Sequence, residues 1–336
     1  MSTYATAVRR ATLAAARLHH NLGTEEQVRR EGGRVDVFDV AARLDVPLLF
    51  RPLDGLLGAF LNEPIPGVLI TTKRPLSVQR FTTAHELGHH QLGHKPSLDN
   101  DNILKRSLFV ARPTYALQEV EADAFAVAFL MPRWLVTWHC QHQGWIGERL
   151  QNPEIVYQLS LRIGASYEAT CWTLARYRLV NSPVAKRLAE MEPRTIKAGL
   201  LRGYEPPDFR GDVWALSEVD RGTKISGSRT DLFVLRLPEH SGGGYLWNLD
   251  QLQRTGFLIV RDERESSLEE TIGSHVTRSV TALSRDRQRG ELLLSERRPW
   301  QAAVPINTFS IQYDLTGPEQ EGYSQAERQR LLEVAG

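Results

Sequence analysis

Apolar and polar positions along the chain change their spacing part-way through. Residues 4–30 set alanines and leucines on one side and charge on the other, which predicts a helix ended by the EGG at 31–33. DVFDVAARLDV (36–46) predicts a short helix with an aspartate cap, and PLLFRPL (47–53) a strand. GAFLNEP and GVLITTK predict two further strands joined by the turn-like NEPIPG. In TTAHELGHHQLGH (82–94) the neighbours Phe81, Ala84, Leu87, Gly88 and Leu92 predict a buried helix, and QEVEADAFAVAFLMP (118–132) predicts a second one stopped by Pro132. NPEIVYQLSLRIG and SYEATCWTLARYRLV predict two helices around the turn GAS (164–166). Residues 181–211, with Pro206, Pro207 and Gly211, read as a linker around one polar helix. Beyond it DVWALSEV, DLFVLRL, GFLIVRD, HVTRSVTAL, GELLLSERR and NTFSIQYDL are short alternating or β-rich runs without intervening helices. Strands in that pattern predict an all-β sandwich of about a hundred residues. The fold class expected is α+β followed by all-β.

Composition narrows the classes. The 336 residues exceed one ordinary domain, and 41% hydrophobic with 24% charged residues describes a globular protein able to bury real cores. A net charge of +1 gives no general case for nucleic acid or membrane as partner. Only Cys140 and Cys171 are present, which excludes a disulfide framework and fits a reducing compartment. Arg9, Arg10 and Arg17 interrupt the mildly apolar N-terminal run, so no signal peptide is expected. No run approaches the roughly 18 apolar residues of a membrane span. A cytoplasmic location is expected.

The chemistry concentrates in the two helices of the first half. His85 and His89 are four residues apart, on one helical face, and can present two imidazoles to one metal ion. Glu86 is rotated by roughly 100°, close enough to take a proton from a metal-activated water without being a ligand. A third ligand in the pattern H-E-x-x-H-x-x-G-x-x-H is excluded, because Leu92 and Lys95 stand where its glycine and histidine belong. His94 lies off the ligand face by roughly 140° on a continuous helix. In the second helix Glu119 and Asp123 share a face, an arrangement that suits a carboxylate ligand followed by an aspartate orienting a metal-bound histidine. Glu121 points roughly 200° away from Glu119 and reads as part of an exposed acidic face, so its removal is expected to matter little. His139 and His142 read as surface or packing residues.

Val37 to Leu135 resembles the ImmA/IrrE family of bacterial zinc metallopeptidases. DVFDVAARLDVPLLF, GVLITTKRPLSVQRFTTAHELGHHQLGH and EVEADAFAVAFLMP carry the resemblance, and the two following helices extend it to about 180. It implies a gluzincin-like domain with a helical extension, one zinc per chain held by His85, His89 and Glu119, and Glu86 as the base. It also implies a protein substrate, a helix-turn-helix repressor whose cleavage switches on mobile-element or DNA-damage genes. A strand beside the metal helix pairs with substrate in peptidases of this type, and GAFLNEP and GVLITTK are the candidates. The stretch DNDNILKRSLFVARPTYAL is longer than the family has there and reads as a lid or specificity element. The oxyanion donor is left open between Tyr115 and His94. The helices at 153–180 could be read as DNA-binding, but the second offers only Arg176 and Arg178, so packing on the peptidase domain is expected instead.

Residues 212–316 resemble the chagasin-like cysteine-protease inhibitors, which have an immunoglobulin-like fold. HSGGGYLW (240–247), IGSH (272–275) and ERRPWQ (296–301) sit where that family has its three binding loops. The residues from His240 to Gly244 replace the family's N-P-T-T-G, which counts against inhibition but not against the fold. Tyr245, Trp247 and Trp300 are the candidate partner-binding residues, with packing inside the sandwich as the equal alternative. The expected organisation is a peptidase domain at 1–150, a helical segment at 151–182, a linker at 183–211, a sandwich at 212–318 and a tail at 319–336. The expected function is a zinc endopeptidase. The alternative is a non-catalytic zinc-containing regulator, or an inhibitor or binding protein acting through the sandwich.

Overall fold

The computed structural model describes residues 3–61, 66–95, 98–100, 116–265, 276–285, 289–301 and 304–335. The first half is a small sheet wrapped by helices. α1 (Thr3–Leu22) buries Ala7, Ala11, Ala15 and Leu18 along one stripe, and these small side chains let it lie close to α5 (Leu117–Leu130). The single helix expected over 4–30 is two: Gly23, at φ +62°, turns the chain into α2 (Thr24–Glu31). Asp36 caps α3 (Val37–Arg43), its carboxylate accepting from the amides of Phe38 and Asp39. Strands β1 (Leu48–Arg51), β2 (Leu56–Leu61) and β3 (Gly67–Thr71) lead into the long helix α4 (Leu76–Leu92), followed by β4 (Leu98–Asn100). β3 lies between β1 and β2, and β2 carries β4 on its outer side. Of the two strands proposed for substrate pairing, GVLITTK is interior, and GAFLNEP is covered by β4 at Gly58 and Ala59.

After α5 come α6 (Arg133–His142), α7 (Pro153–Ile163) and α8 (Tyr167–Arg176). α7 begins with an Asn152 cap and Pro153 and ends at Gly164 in the left-handed region, φ +74°. Val156, Leu159, Ile163, Cys171 and Leu174 are buried in the same core as Leu87, Phe125 and Phe129. α7 and α8 thus belong to the body that carries the metal-type helix. Each fully buried Leu or Phe contributes roughly 1.5–3 kcal/mol, so this core fixes α4 and α5 relative to one another. The guanidinium of Arg80 on α4 is buried and donates to the carbonyls of Val35 and Gly164 at 2.8 and 3.0 Å, tying α4 to the start of α3 and the end of α7.

Residues 183–211 are not an open linker. They hold most of α9 (Ser182–Ala189) and all of α10 (Pro193–Leu201), and the buried Lys197 donates to the carbonyls of Phe209 and Gly211 at 3.1 and 2.9 Å. The second half is a two-sheet sandwich. β5 (Val213–Leu216), β7 (Leu232–Glu239), β10 (Val276–Ser284) and β9 (Phe257–Glu265) form one sheet in the order β5-β7-β10-β9. β6 (Lys224–Ser226), β12 (Asn307–Asp314), β11 (Arg289–Arg297) and β8 (Leu246–Trp247) form the other, with α11 (Leu249–Arg254) between β8 and β9. Trp214, Phe233, Leu235, Leu294, Phe309 and Ile311 fill the space between the sheets. The alternation seen in the sequence sends these side chains to the inner faces.

The two halves are joined by hydrogen bonds rather than a hinge. β5 is an edge strand, and α7 covers it. Gln158 donates to Val213 O at 2.7 Å and accepts from Ala215 N at 2.9 Å, while Arg162 reaches Ala215 O at 3.0 Å and the Asp220 carboxylate at 2.7 Å. These contacts satisfy the backbone groups that an open edge would expose. The segment 319–336 is not a free tail either. β13 (Gly322–Tyr323) pairs antiparallel with β1, and α12 (Gln325–Ala335) packs on α3. Ahead of β13, Glu319 N donates to the side-chain oxygen of Gln79 on α4 at 2.8 Å, and the Gln79 amide donates to Glu319 O at 3.1 Å. Too short to show a strand period, this segment gave no sign in the sequence that it completes the first sheet.

Candidate metal centre

α4 and α5 cross closely because Gly88 faces Ala122 with no side chain between them: a Cβ on Gly88 would lie 3.2 Å from Ala122 Cα. This close approach brings His85, His89 and Glu119 together, their ligand atoms within 4.8 Å of one another. The Nε2 atoms of His85 and His89 are 3.0 Å apart, and the Glu119 oxygens lie 3.4 Å from His85 Nε2 and 3.8 Å from His89 Nε2. Tetrahedral zinc with bonds near 2.0–2.1 Å has ligand–ligand edges of about 3.3 Å, and two imidazoles with one carboxylate are the donor set of hydrolytic zinc sites. The residues present fit zinc. Both imidazoles are fully buried.

Each imidazole has a partner on its far side. His85 Nδ1 lies 2.8 Å from the Asp123 carboxylate, one turn beyond Glu119 on α5. His89 Nδ1 lies 3.0 Å from Nδ1 of His94, and His94 Nε2 lies 2.8 Å from the Glu121 carboxylate. Glu121 is buried, not part of an exposed acidic face, and accepts from Arg10 of α1 at 3.1 Å on both oxygens. The geometric premise that set His94 aside was a continuous helix. Gly93 ends α4 at φ +67°, and His94 N then donates back to His89 O at 3.0 Å, which folds the His94 side chain under His89. A glycine directly before a histidine, at the end of a helical run, was the signal available in the sequence.

Glu86 is fully buried and faces β2. A Cβ on Gly58 would come 3.1 Å from Glu86 Oε1 and 2.5 Å from Thr82 Cγ2, so the strand approaches this carboxylate only because residue 58 has no side chain. Tyr115 and most of the segment read as a lid lie outside the described residues. His139 and His142 are not near the site: they meet the carbonyls of Gly33 and Val219 at 2.9 and 3.0 Å. Burial, with Arg162 nearby, lowers the His139 pKa to about 3, and burial lowers that of His19 to about 4. A cavity of about 920 Å³ between the two halves, lined by Arg34, Arg80, His139, Trp214, Arg289 and Glu319 among others, is separate from the metal-type cluster.

At the loop end of the sandwich two fully buried carboxylates organise the backbone. Glu296 accepts from His240 N at 2.5 Å and from the Asn307 side chain at 2.8 Å. Glu239 accepts from Trp247 N at 3.1 Å and Arg264 Nε at 2.7 Å. Trp247 is not a surface residue: it is buried in the sandwich core and its indole donates to Pro238 O at 2.8 Å. β8, a two-residue strand without a readable period, puts it there by pairing with β11. Tyr245 is half-buried under the Arg298 guanidinium, 4.6 Å from its ring centroid. Trp300 is 73% exposed and lies over Gly244. The IGSH loop lies outside the described residues.

Residues 41–175 match the family model of the IrrE N-terminal-like domain, a peptidase family. Residues 228–313 match that of the chagasin family of peptidase inhibitors. No curated protein matches the chain. Among solved structures, the crystal structure of the cysteine protease inhibitor EhICP2 from Entamoeba histolytica is 17% identical, with 32% of this chain and 99% of that chain covered and a TM-score of 0.28. The solution structure of amebosin is 20% identical, with 31% and 96% covered and a TM-score of 0.26. No helix among the described residues is long and apolar enough to cross a membrane.

Proposed function

We propose that this chain, which unites an IrrE-like peptidase domain with a chagasin-like domain, is a zinc-dependent endopeptidase acting on a regulatory protein. The observation that carries the reading is the convergence of His85 Nε2, His89 Nε2 and a Glu119 oxygen, with the Glu86 carboxylate on the next residue of the same helix. Zinc at that position would polarise a substrate carbonyl and make water a stronger acid. Glu86, buried between α4 and β2, would accept the proton of the attacking water and deliver it to the leaving amine. His85 and His89 would keep their Nε2 lone pairs directed inward, Asp123 holding the first of them. Among substrates, a helix-turn-helix repressor is what the resemblance of residues 37–135 points to. The reducing chemistry expected from two buried free thiols supports a cytoplasmic setting.

The test joins metal content to cleavage. The purified chain should carry close to one zinc, cleave a protein or peptide substrate, and lose that activity to a chelator. Glu86→Gln should retain zinc and lose at least about a hundredfold in turnover. A variant that keeps full turnover with zinc bound would remove Glu86 from the mechanism. A second reading, in which the sandwich acts as a binding module, is favoured by the exposed Trp300 on loops braced by Glu239 and Glu296. It is compatible with the first, since the loops lie at the far end of β7 from the contacts with α7.

A further inference from the structure

We propose that Arg10, Glu121 and His94 form a positioning array that biases the tautomer of His89 toward the one whose Nε2 lone pair faces Glu119 and His85. The inference rests on the metal-centre reading above and deepens it.

Without a metal the His89 proton has two acceptors at 3.0 Å, His94 Nδ1 and His85 Nε2; once both Nε2 atoms give their lone pairs to a metal ion, one arrangement is left. A carboxylate only accepts, so the His94 nitrogen 2.8 Å from Glu121 Oε2 bears its proton. His94 Nδ1 is then a bare acceptor, and the 3.0 Å contact to His89 Nδ1 requires that atom to be the donor. His89 Nε2 is left bare, and it is this atom that lies 3.0 Å from His85 Nε2 and 3.8 Å from Glu119. A ligand imidazole needs that tautomer. Arg10 anchors the far end. Its Nη1 reaches both Glu121 oxygens and its Nη2 donates to Leu92 O at 3.1 Å, pinning the carboxylate against the end of α4.

Two carboxylates two positions apart on α5 thus serve two imidazoles. Asp123 acts on His85 directly, and Glu121 acts on His89 through His94. Arg10 belongs to α1, before the residues that match the peptidase family model, 41–175, so this chain's N-terminal helix contributes to the site from outside the matched domain.

The tautomer can be read without metal. In ¹⁵N-labelled, metal-free protein near neutral pH, imidazole ¹⁵N–¹H correlation spectra should show the His89 proton populating Nδ1, beside His94, and not held at Nε2 alone. In His94→Ala that proton should move toward Nε2, beside His85, and zinc affinity measured by chelator competition should fall at least about tenfold. Glu121→Gln, which keeps an oxygen able to accept from His94, should shift both readouts less than Glu121→Ala. An unchanged His89 tautomer with zinc affinity within about twofold in His94→Ala would overturn the proposal, since outer partners of this kind ordinarily matter by tenfold or more. Should His94→Ala fail to fold, Arg10→Ala at its half-exposed position should move the two readouts in the same direction, and no movement would overturn it. Wild-type protein with the expected tautomer but no zinc uptake would sink the metal reading and leave the array standing.

Discussion

Gly88 of α4 lies against the backbone of Ala122 of α5, and a methyl group between them would be tighter than an ordinary packing contact. A Cβ there would also meet Phe125 at 3.1–3.2 Å. Gly88→Ala should therefore push α4 from α5 and cost roughly 1–3 kcal/mol of stability, as overpacked cores do. Because Glu119 is on α5 and both histidines are on α4, the same displacement should weaken zinc binding. Thermal unfolding and zinc retention after dialysis check it, and wild-type values for both would show that the helices can accommodate the methyl.

Glu119 and Asp123 should separate cleanly in a zinc titration. Glu119→Ala removes a candidate ligand and should abolish most zinc binding. Asp123→Ala leaves three donors and frees only the far side of His85, so affinity should drop by roughly ten- to a hundredfold. Retained zinc in Glu119→Ala would exclude Glu119 as the third ligand.

Acid should destabilise the metal-free fold through its buried histidines. His139 and His19 have pKa values lowered to about 3 and about 4 by burial, whereas an unfolded chain protonates its histidines near 6.5. Between those limits the unfolded state binds more protons, so stability is full above about 6.5 and falls as the pH drops toward 4 and 3. His139→Gln, able to donate to Gly33 O in place of the imidazole, should flatten that dependence. Urea midpoints at pH 7.5 and pH 5, with chelator present, measure it, and an equal fall in the variant would exclude His139 as a source.

The two tryptophans of the sandwich loops should behave oppositely. Trp247→Ala opens a hole in a packed core and should cost roughly 3–5 kcal/mol. Trp300→Ala should leave the unfolding curve unchanged and weaken binding of a partner protein, with cleavage of a minimal peptide intact. Loss of peptide cleavage in Trp300→Ala would argue against a separate recognition role.

What the sequence made legible follows from period and residue type. The strands of the sandwich and the helices around His85 and Glu119 have long enough runs for alternation or a buried stripe to stand out. Trp247 was not placed because β8 has two residues, and two residues have no period. The array behind His89 was missed for a different reason. Helical angles hold only as far as Gly93, and the left-handed turn at that residue reverses where His94 points. Glu121 was read by its angle to Glu119 alone, whereas α1 covers the opposite side of α5 and makes that side interior. Contacts supplied by segments distant in sequence, such as Arg10 to Glu121, leave no local trace.

The pairing of β13 with β1, and the grip of Glu319 on Gln79, also bear on how the protein is made. A ribosome delivers α4 and both of its histidines well before it delivers residues 319–335, and domains ordinarily condense in the order in which they emerge. Here the first sheet waits for a strand synthesised after the whole sandwich. Nascent peptidase domain would remain with one side of β1 open until then. A cell that makes this chain would carry the first sheet unfinished through most of translation, and the nascent chain would complete it only once the sandwich accompanies it.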